Sequence, residues 1–168
     1  NNNSIYGIEI TGATNNLIIN NTARNNSNNG IGLITNAHYN NVSGNIVTNN
    51  LDTGILIYSG SNSNTVFNNT VTSNPQGIYI YAGYYNNLTD NTVTSNTVYG
   101  ILFVSAIENI VKNNKVTSNY HGFWLSSSIN NSFIGNLVTS STNNGFLGSG
   151  ASTNNFTENI VTGSGNVG

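Results

Sequence analysis

Groups that move protons or hold metals are few and scattered in this chain. They are the carboxylates Glu9, Asp52, Asp90, Glu108 and Glu158, the imidazoles His38 and His121, and the cations Arg24, Lys112 and Lys115. Two carboxylates ~5–10 Å apart would suit glycosidic acid–base chemistry. Acidic ligands around a hard cation, with a base beside them, would suit a lyase. Two imidazoles could open a metal site, but Cys and Met are both absent, so the soft ligands copper favours are missing. Ser and Thr are plentiful, yet no Ser, His and acid stand together as a nucleophilic set. Whether any of these groups meet depends on the elements that carry them.

Those elements arise from an unusual composition. Of 168 residues, 5% are charged and 36% apolar, and 39 are Asn, where an ordinary soluble protein is roughly 25% charged. Three basic residues make no stripe able to neutralise phosphates, so nucleic acid is excluded as a partner. No apolar run approaches the ~18 residues needed to span a bilayer. Without Cys there is no disulfide framework. Low charge and abundant Asn also describe disordered tracts, and that possibility must be met first.

Periodicity meets it. Gly recurs at Gly7, Gly30, Gly54, Gly77, Gly100, Gly122 and Gly145, with a last Gly168, at intervals of 22 to 24 residues. Three Asn series keep step. One is Asn16, Asn40, Asn64, Asn86, Asn109, Asn131 and Asn154; a second is Asn21, Asn45, Asn69, Asn91, Asn114, Asn136 and Asn159. The third, Asn26, Asn50, Asn74, Asn96 and Asn119, passes to Ser141 and Ser164.

Short apolar alternations lie between these marks. Each Gly is followed by an in–out–in stretch such as Ile31/Leu33, Ile55/Ile57, Ile78/Ile80 or Ile101/Phe103. Single apolar residues then follow, as at Val42 and Val47 or Val66 and Val71. Period-2 alternation of β-branched and aromatic residues, bounded by Asn, Gly and Ser, predicts strands. Three short strands per ~23-residue unit predict an all-β chain, a right-handed single-stranded parallel β-helix of about seven coils. Successive coils rise ~4.8 Å, so like charges on neighbouring coils would repel, which accounts for their scarcity.

The Asn rows need no ligand to explain them. Corners of a three-sided coil need some residues at positive φ, which Asn tolerates, and stacked amides can form a ladder. The row Asn21, Asn45, Asn69, Asn91, Asn114, Asn136 and Asn159 is the clearest such ladder. The Gly series reads as turn residues at the strand entrance.

Units such as Gly77-Ile78-Tyr79-Ile80 followed by Asn91-Thr92-Val93-Thr94-Ser95-Asn96 resemble the parallel β-helix repeats of NosD-like proteins. That group is described as carbohydrate-binding and sugar-hydrolase domains, and the resemblance covers residues 5–168. It implies the fold more than a function, because the same coil serves pectate lyases, polysaccharide epimerases, periplasmic copper-enzyme accessory proteins and many-repeat surface proteins. The nearly uncharged, Asn-Thr-Val-Thr-rich repeat is most similar to the surface proteins.

Register then places the chemistry. Asp90 and Glu158 fall at equivalent positions three coils apart, ~14 Å, and the other acids sit at different corners, so no carboxylates pair. His38 and His121 lie several coils apart and share no metal. These positions predict no catalytic site, no cofactor and no metal, and hence no enzyme. Alternation sends Leu56, Tyr58, Tyr79, Tyr81, Leu102 and Trp124 outward on one face, a strip suited to a lateral protein interface or to stacking on sugar rings. A row of Thr48, Thr72, Thr94, Thr117, Thr139 and Thr162 resembles ice-binding arrays, but Ile46, Lys115, Leu137 and Ile160 interrupt the row beside it.

Asn-x-Ser/Thr sequons at Asn2, Asn20, Asn25, Asn41, Asn68, Asn87, Asn130 and Asn155 agree with an extracellular or cell-surface glycoprotein. One domain over residues 1–168, uncapped at both ends, would expose strand edges and invite end-to-end stacking. The sequence therefore points first to a non-catalytic structural solenoid, self-associating into a surface layer, sheath or filament. A carbohydrate-binding module, or a fragment of a polysaccharide lyase or hydrolase, is the alternative. Ice binding comes third. The expected partners are further copies of the chain or glycans, without a membrane span.

Overall fold

The structure, a computed structural model, describes residues 5–165. Twenty-one strands form three seven-stranded parallel sheets, and no helix occurs among the described residues. Each coil gives one strand to each sheet, and every strand pairs with its counterpart one coil away. The first sheet contains the longest strands, Thr53–Tyr58, Gln76–Tyr81, Tyr99–Val104 and His121–Ser126 in its middle. The other two sheets are built from three-residue strands such as Asn87–Thr89 and Thr92–Thr94. The expected parallel solenoid of about seven coils is therefore present.

Inward positions make one continuous core. Ile55, Ile57, Ile78, Ile80, Ile101 and Phe103 of the first sheet are fully buried, as are Val66, Leu88 and Val111 of the second and Val71, Val93 and Val116 of the third. Each such side chain contributes about 1.5–3 kcal/mol through its removal from water. Aromatic rings take over in the later coils. Phe123 stacks on Phe146 at 4.5 Å between centroids and meets Phe133 edge-on at 5.6 Å.

Three Asn ladders line the inner corners. In the middle one, Asn91 donates from its backbone N–H to Asn114 Oδ1 (3.0 Å), and from Nδ2 to the same oxygen (2.9 Å) and to Val66 O (2.8 Å). Its own Oδ1 accepts from Asn69 N and Nδ2, both at 3.0 Å. The rows through Asn86 and Asn96 repeat this arrangement.

Positive φ belongs to the residue before the ladder, not to the ladder Asn itself. Asn20, Gly44, Asn68, Asp90, Asn113, Gly135 and Glu158 are left-handed and precede the seven Asn of the middle row. The left-handed residue turns the chain and the next one points its amide inward. The two tasks that the sequence reading placed on one Asn are thus divided between neighbours.

The Gly series also has a different cause from the one expected. Gly100 is not among the positive-φ glycines. A Cβ there would lie 2.6 Å from Gly122 O and 2.7 Å from Val116 Cγ1. Gly is required because neighbouring coils and the third sheet approach too closely for any side chain.

Successive ladder residues within a coil are always five apart, as in Asn64, Asn69 and Asn74 or Asn109, Asn114 and Asn119. Variation in coil length is confined to the turns at the two ends of the first sheet. Two sides are fixed by the ladders, and the first sheet is the side whose borders are free to vary.

The third ladder stops where Asn gives way to Ser. The Ser141 and Ser164 hydroxyl oxygens are buried without a hydrogen-bond partner. Ser141→Asn is expected to extend the ladder and stabilise the fold by about 1 kcal/mol. Asn91→Ala, which strands the Asn69 N–H and Val66 carbonyl, is expected to cost about 3–5 kcal/mol. Thermal and urea unfolding of the two variants checks both signs.

Candidate functional site

The outward face of the first sheet is where the sequence strip assembles. Register pairing aligns Glu9, Gly32, Leu56, Tyr79, Leu102, Trp124 and Leu147 in one row. Ile34, Tyr58, Tyr81, Val104 and Ser126 align beside it. Tyr58 and Tyr81 stack at 4.8 Å, and Tyr79 meets Tyr81 edge-on at 6.3 Å. The strip is less uniform than expected: Tyr58 is exposed, whereas Leu56 and Leu102 are only 8% and 7% exposed between the surrounding rings. The apolar residues on the outer rows of the second sheet, by contrast, are separated by polar ones, as where Phe67 pairs with Ser43 and Thr89.

Two shallow clefts open on this face. One, of about 240 Å³, is lined by Tyr6, Asn28, Asn29, Asp52, Thr53, Leu56, Tyr58 and Tyr79. The other, of about 260 Å³, lies two coils further along and is lined by Tyr99, Leu102, Val104, Trp124 and Ser126. The Tyr6 ring reaches over Gly32, where a Cβ would lie 2.7 Å from Tyr6 Cε1.

Electrostatics in the first cleft centre on Asp52. Its backbone N–H donates to Asn28 O at 3.1 Å and its carbonyl accepts from Gln76 N at 3.3 Å, which fixes the turn. Burial raises its carboxyl above the ordinary value. Burial also raises the Tyr6 phenol, and a hydrogen bond with Asn29 opposes that rise. Glu9 and Asp52 both lie within electrostatic reach of Tyr6 and raise it further. Two acids that register places on different coils thus both act on one phenol. Burial likewise raises Tyr79.

The second cleft borders an aromatic cluster. Tyr99 stacks on His121 at 5.7 Å and meets Trp124 edge-on at 4.7 Å. His121 is 7% exposed, and neither its Nδ1 nor Trp124 Nε1 has a hydrogen-bond partner. The sequence reading missed Tyr6, Asn28, Thr53 and Tyr99. For Tyr6, Thr53 and Tyr99 the available signal was the position just before each Gly, which register aligns as Thr53, Gln76, Tyr99 and His121.

The remaining expected sites lie elsewhere. Asn20, Asn25, Asn68 and Asn130 are exposed, left-handed corner residues. Asn41, Asn87 and Asn155 begin strands of the second sheet, and Asn2 lies outside the described residues. The Thr48-to-Thr162 row is in register on the third sheet, beside a row that includes Ile46, Lys115, Leu137 and Ile160.

Burial lowers the His121 imidazole below its ordinary 6.5. The folded state then binds fewer protons than the unfolded one near that pH, so stability falls as pH drops through it. Relative to His121→Phe, the wild-type melting temperature is expected to decline on acidification from about pH 7 to about pH 5. A constant difference between the two proteins would contradict this.

The profile described as right handed beta helix region matches residues 1–107. The one described as periplasmic copper-binding protein (NosD) matches residues 58–168. No curated protein matches the sequence. Among solved structures, a periplasmic alginate epimerase superposes with a TM-score of 0.84 at 18% identity, covering 95% of this chain and 47% of its own. The A-module of a mannuronan C-5 epimerase from Azotobacter vinelandii gives 0.91 at 14% identity, covering 95% and 50%. The enzymatically active domain of a bacteriophage CBA120 tailspike protein gives 0.55 at 14% identity, covering 84% and 24%. The chain spans about half the length of the epimerases or less of the tailspike, and at these identities the likeness is one of fold.

The expectation of no enzyme is corrected by these comparisons. Similar coils carry epimerases and a tailspike's enzymatically active domain, so the fold is one that enzymes use. A copper centre, raised by the name of the second profile, does not fit the residues present. Cys and Met are absent, and no group of three or more His, Cys, Asp or Glu gathers among the described residues. His38 Nδ1 instead accepts from Asn62 N–H at 3.2 Å. Each profile spans more than half of the chain and the three parallel sheets agree with both: the chain belongs to the right-handed β-helix family and carries the NosD-type repeat.

Proposed function

We propose that the chain binds an extended polysaccharide along the outer face of the first sheet, outside the cytoplasm. The observation that carries this reading is the outward strip of one sheet, where the rings of Tyr58, Tyr79 and Tyr81 and those of Tyr99 and Trp124 flank Leu102 and Val104 and border two open clefts. Aromatic faces pack on the apolar faces of sugar rings while nearby polar groups take the hydroxyls. The fold shared with alginate epimerases and the periplasmic description of the NosD profile support both the ligand class and the location. Asp52 is the proton-transfer group of this face. Its carboxyl lines the first cleft and is raised above its ordinary value by burial, so it holds a proton more readily than an exposed carboxylate does.

Self-association into a surface layer, sheath or filament is the second reading. It is favoured by the same outward strip, where the exposed Tyr58 stands on one face with Leu56, Tyr81 and Val104 and suits a lateral contact between copies. A second copy laid against this face would cover it. Sedimentation at increasing concentration should then reveal oligomers that Tyr58→Ser weakens, and a monomer throughout would remove this reading.

Binding to a polysaccharide panel should fall at least tenfold in Tyr79→Ala and in Trp124→Ala, with the fold retained by circular dichroism. Any turnover of the bound polymer should be lost in Asp52→Asn while binding remains. Unchanged binding in both aromatic variants would overturn the proposal.

A further inference from the structure

We infer that the polysaccharide is uncharged and lies along the solenoid axis, an inference that rests on the binding reading above. Charge placement is the first argument. The chain's three cations, Arg24, Lys112 and Lys115, all sit on the strands Thr22–Arg24, Ile110–Lys112 and Lys115–Thr117, none of which belongs to the first sheet. The charges on or beside the first sheet are instead Glu9 and Asp52. A polyanion laid across it would meet two carboxylates and no counter-charge. Asp52 is already partly desolvated, so excluding water from it with an anionic ligand would cost most there.

Unpaired polar atoms give an independent argument. Asn28 Oδ1 in the first cleft is buried without a partner and can only accept. Trp124 Nε1–H beside the second cleft is also unpaired and can only donate. A sugar hydroxyl both donates and accepts, so one uniform ligand chemistry can satisfy both ends of the face. A carboxylate only accepts; it could pair with Trp124 but would repel Asn28 Oδ1 and Asp52.

Direction follows from the positions of the two clefts. The first centres on the strand Thr53–Tyr58, and the second on Tyr99–Val104 and His121–Ser126, further along the coil stack. Tyr79, which lines the first cleft, sits in the outward row between Leu56 and Leu102 of the second cleft. A chain touching both clefts therefore crosses the strands and runs along the stack.

Affinity electrophoresis and calorimetry with galactomannan and xyloglucan as neutral probes, and alginate and polygalacturonate as charged ones, test the inference at low salt. At least tenfold tighter binding of a neutral polymer is expected, with the gap narrowed in the double variant Glu9→Gln/Asp52→Asn. Equal or tighter binding of a polyuronate overturns the inference and leaves the binding reading standing. Failure of all four polymers to bind overturns both. So does a dimer that Trp124→Ala dissociates, because a second copy then occupies the face.

Discussion

A buried amide that gives and receives hydrogen bonds at once is the constraint on which the solenoid depends. Each ladder Asn carries both a donor and an acceptor on a short side chain, so a single residue can accept from the coil on one side and donate to the other. Asp lacks the donor, Ser is too short, and Gln would overfill the corner. A slip by one residue would leave a buried N–H or C=O unpaired at each of three corners, at about 1–3 kcal/mol each. The ladders therefore set the register, and the apolar core fills the space they enclose. The buried, partnerless hydroxyls of Ser141 and Ser164 show what happens where the amide is missing.

This arrangement separates structural duty from surface chemistry. Hydrogen bonding and core packing are satisfied from inside, leaving the outer rows of every sheet with little structural role. The second and third sheets, held at five-residue spacing between ladders, present Thr, Asn and isolated apolar side chains. The first sheet has longer strands and variable borders, and it concentrates the rings and several unpartnered polar atoms. Asp52, Tyr6, Asn28, Tyr99 and His121 all lie at its strand entrances or the turns just before them. Its chemistry owes little to charge. Partly desolvated groups and apolar ring faces give it a character suited to a hydroxyl-rich ligand.

The fold was largely legible because repetition supplies what a single segment cannot. Val66, Leu88 and Val111 are each uninformative alone, but seven copies in step identify an inward row. Attribution was harder than recognition. Positive φ and ladder bonding fall on adjacent residues in the same Asn-rich corner, as at Asn113 and Asn114, and sequence spacing does not separate them. The glycines presented the same difficulty, since a close approach between coils and a left-handed turn both select Gly. The aromatic strip was visible through alternation. The clefts were not, because Tyr6 and Asp52 come from different coils and meet only through side-chain reach. Scarcity of charge was the least transferable signal: it follows from stacking at ~4.8 Å and says little about catalysis on a scaffold that enzymes also use.

Side-chain amide hydrogen exchange, resolved residue by residue by NMR, tests the central claim most directly. The Nδ2 protons of Asn45, Asn69, Asn91 and Asn114 are each bonded to the next ladder oxygen at 2.9–3.0 Å. They should exchange orders of magnitude more slowly than those of the exposed corner residues Asn20 and Asn25, and in step with global unfolding. Equal exchange in the two groups would mean that the ladders do not hold the coils together.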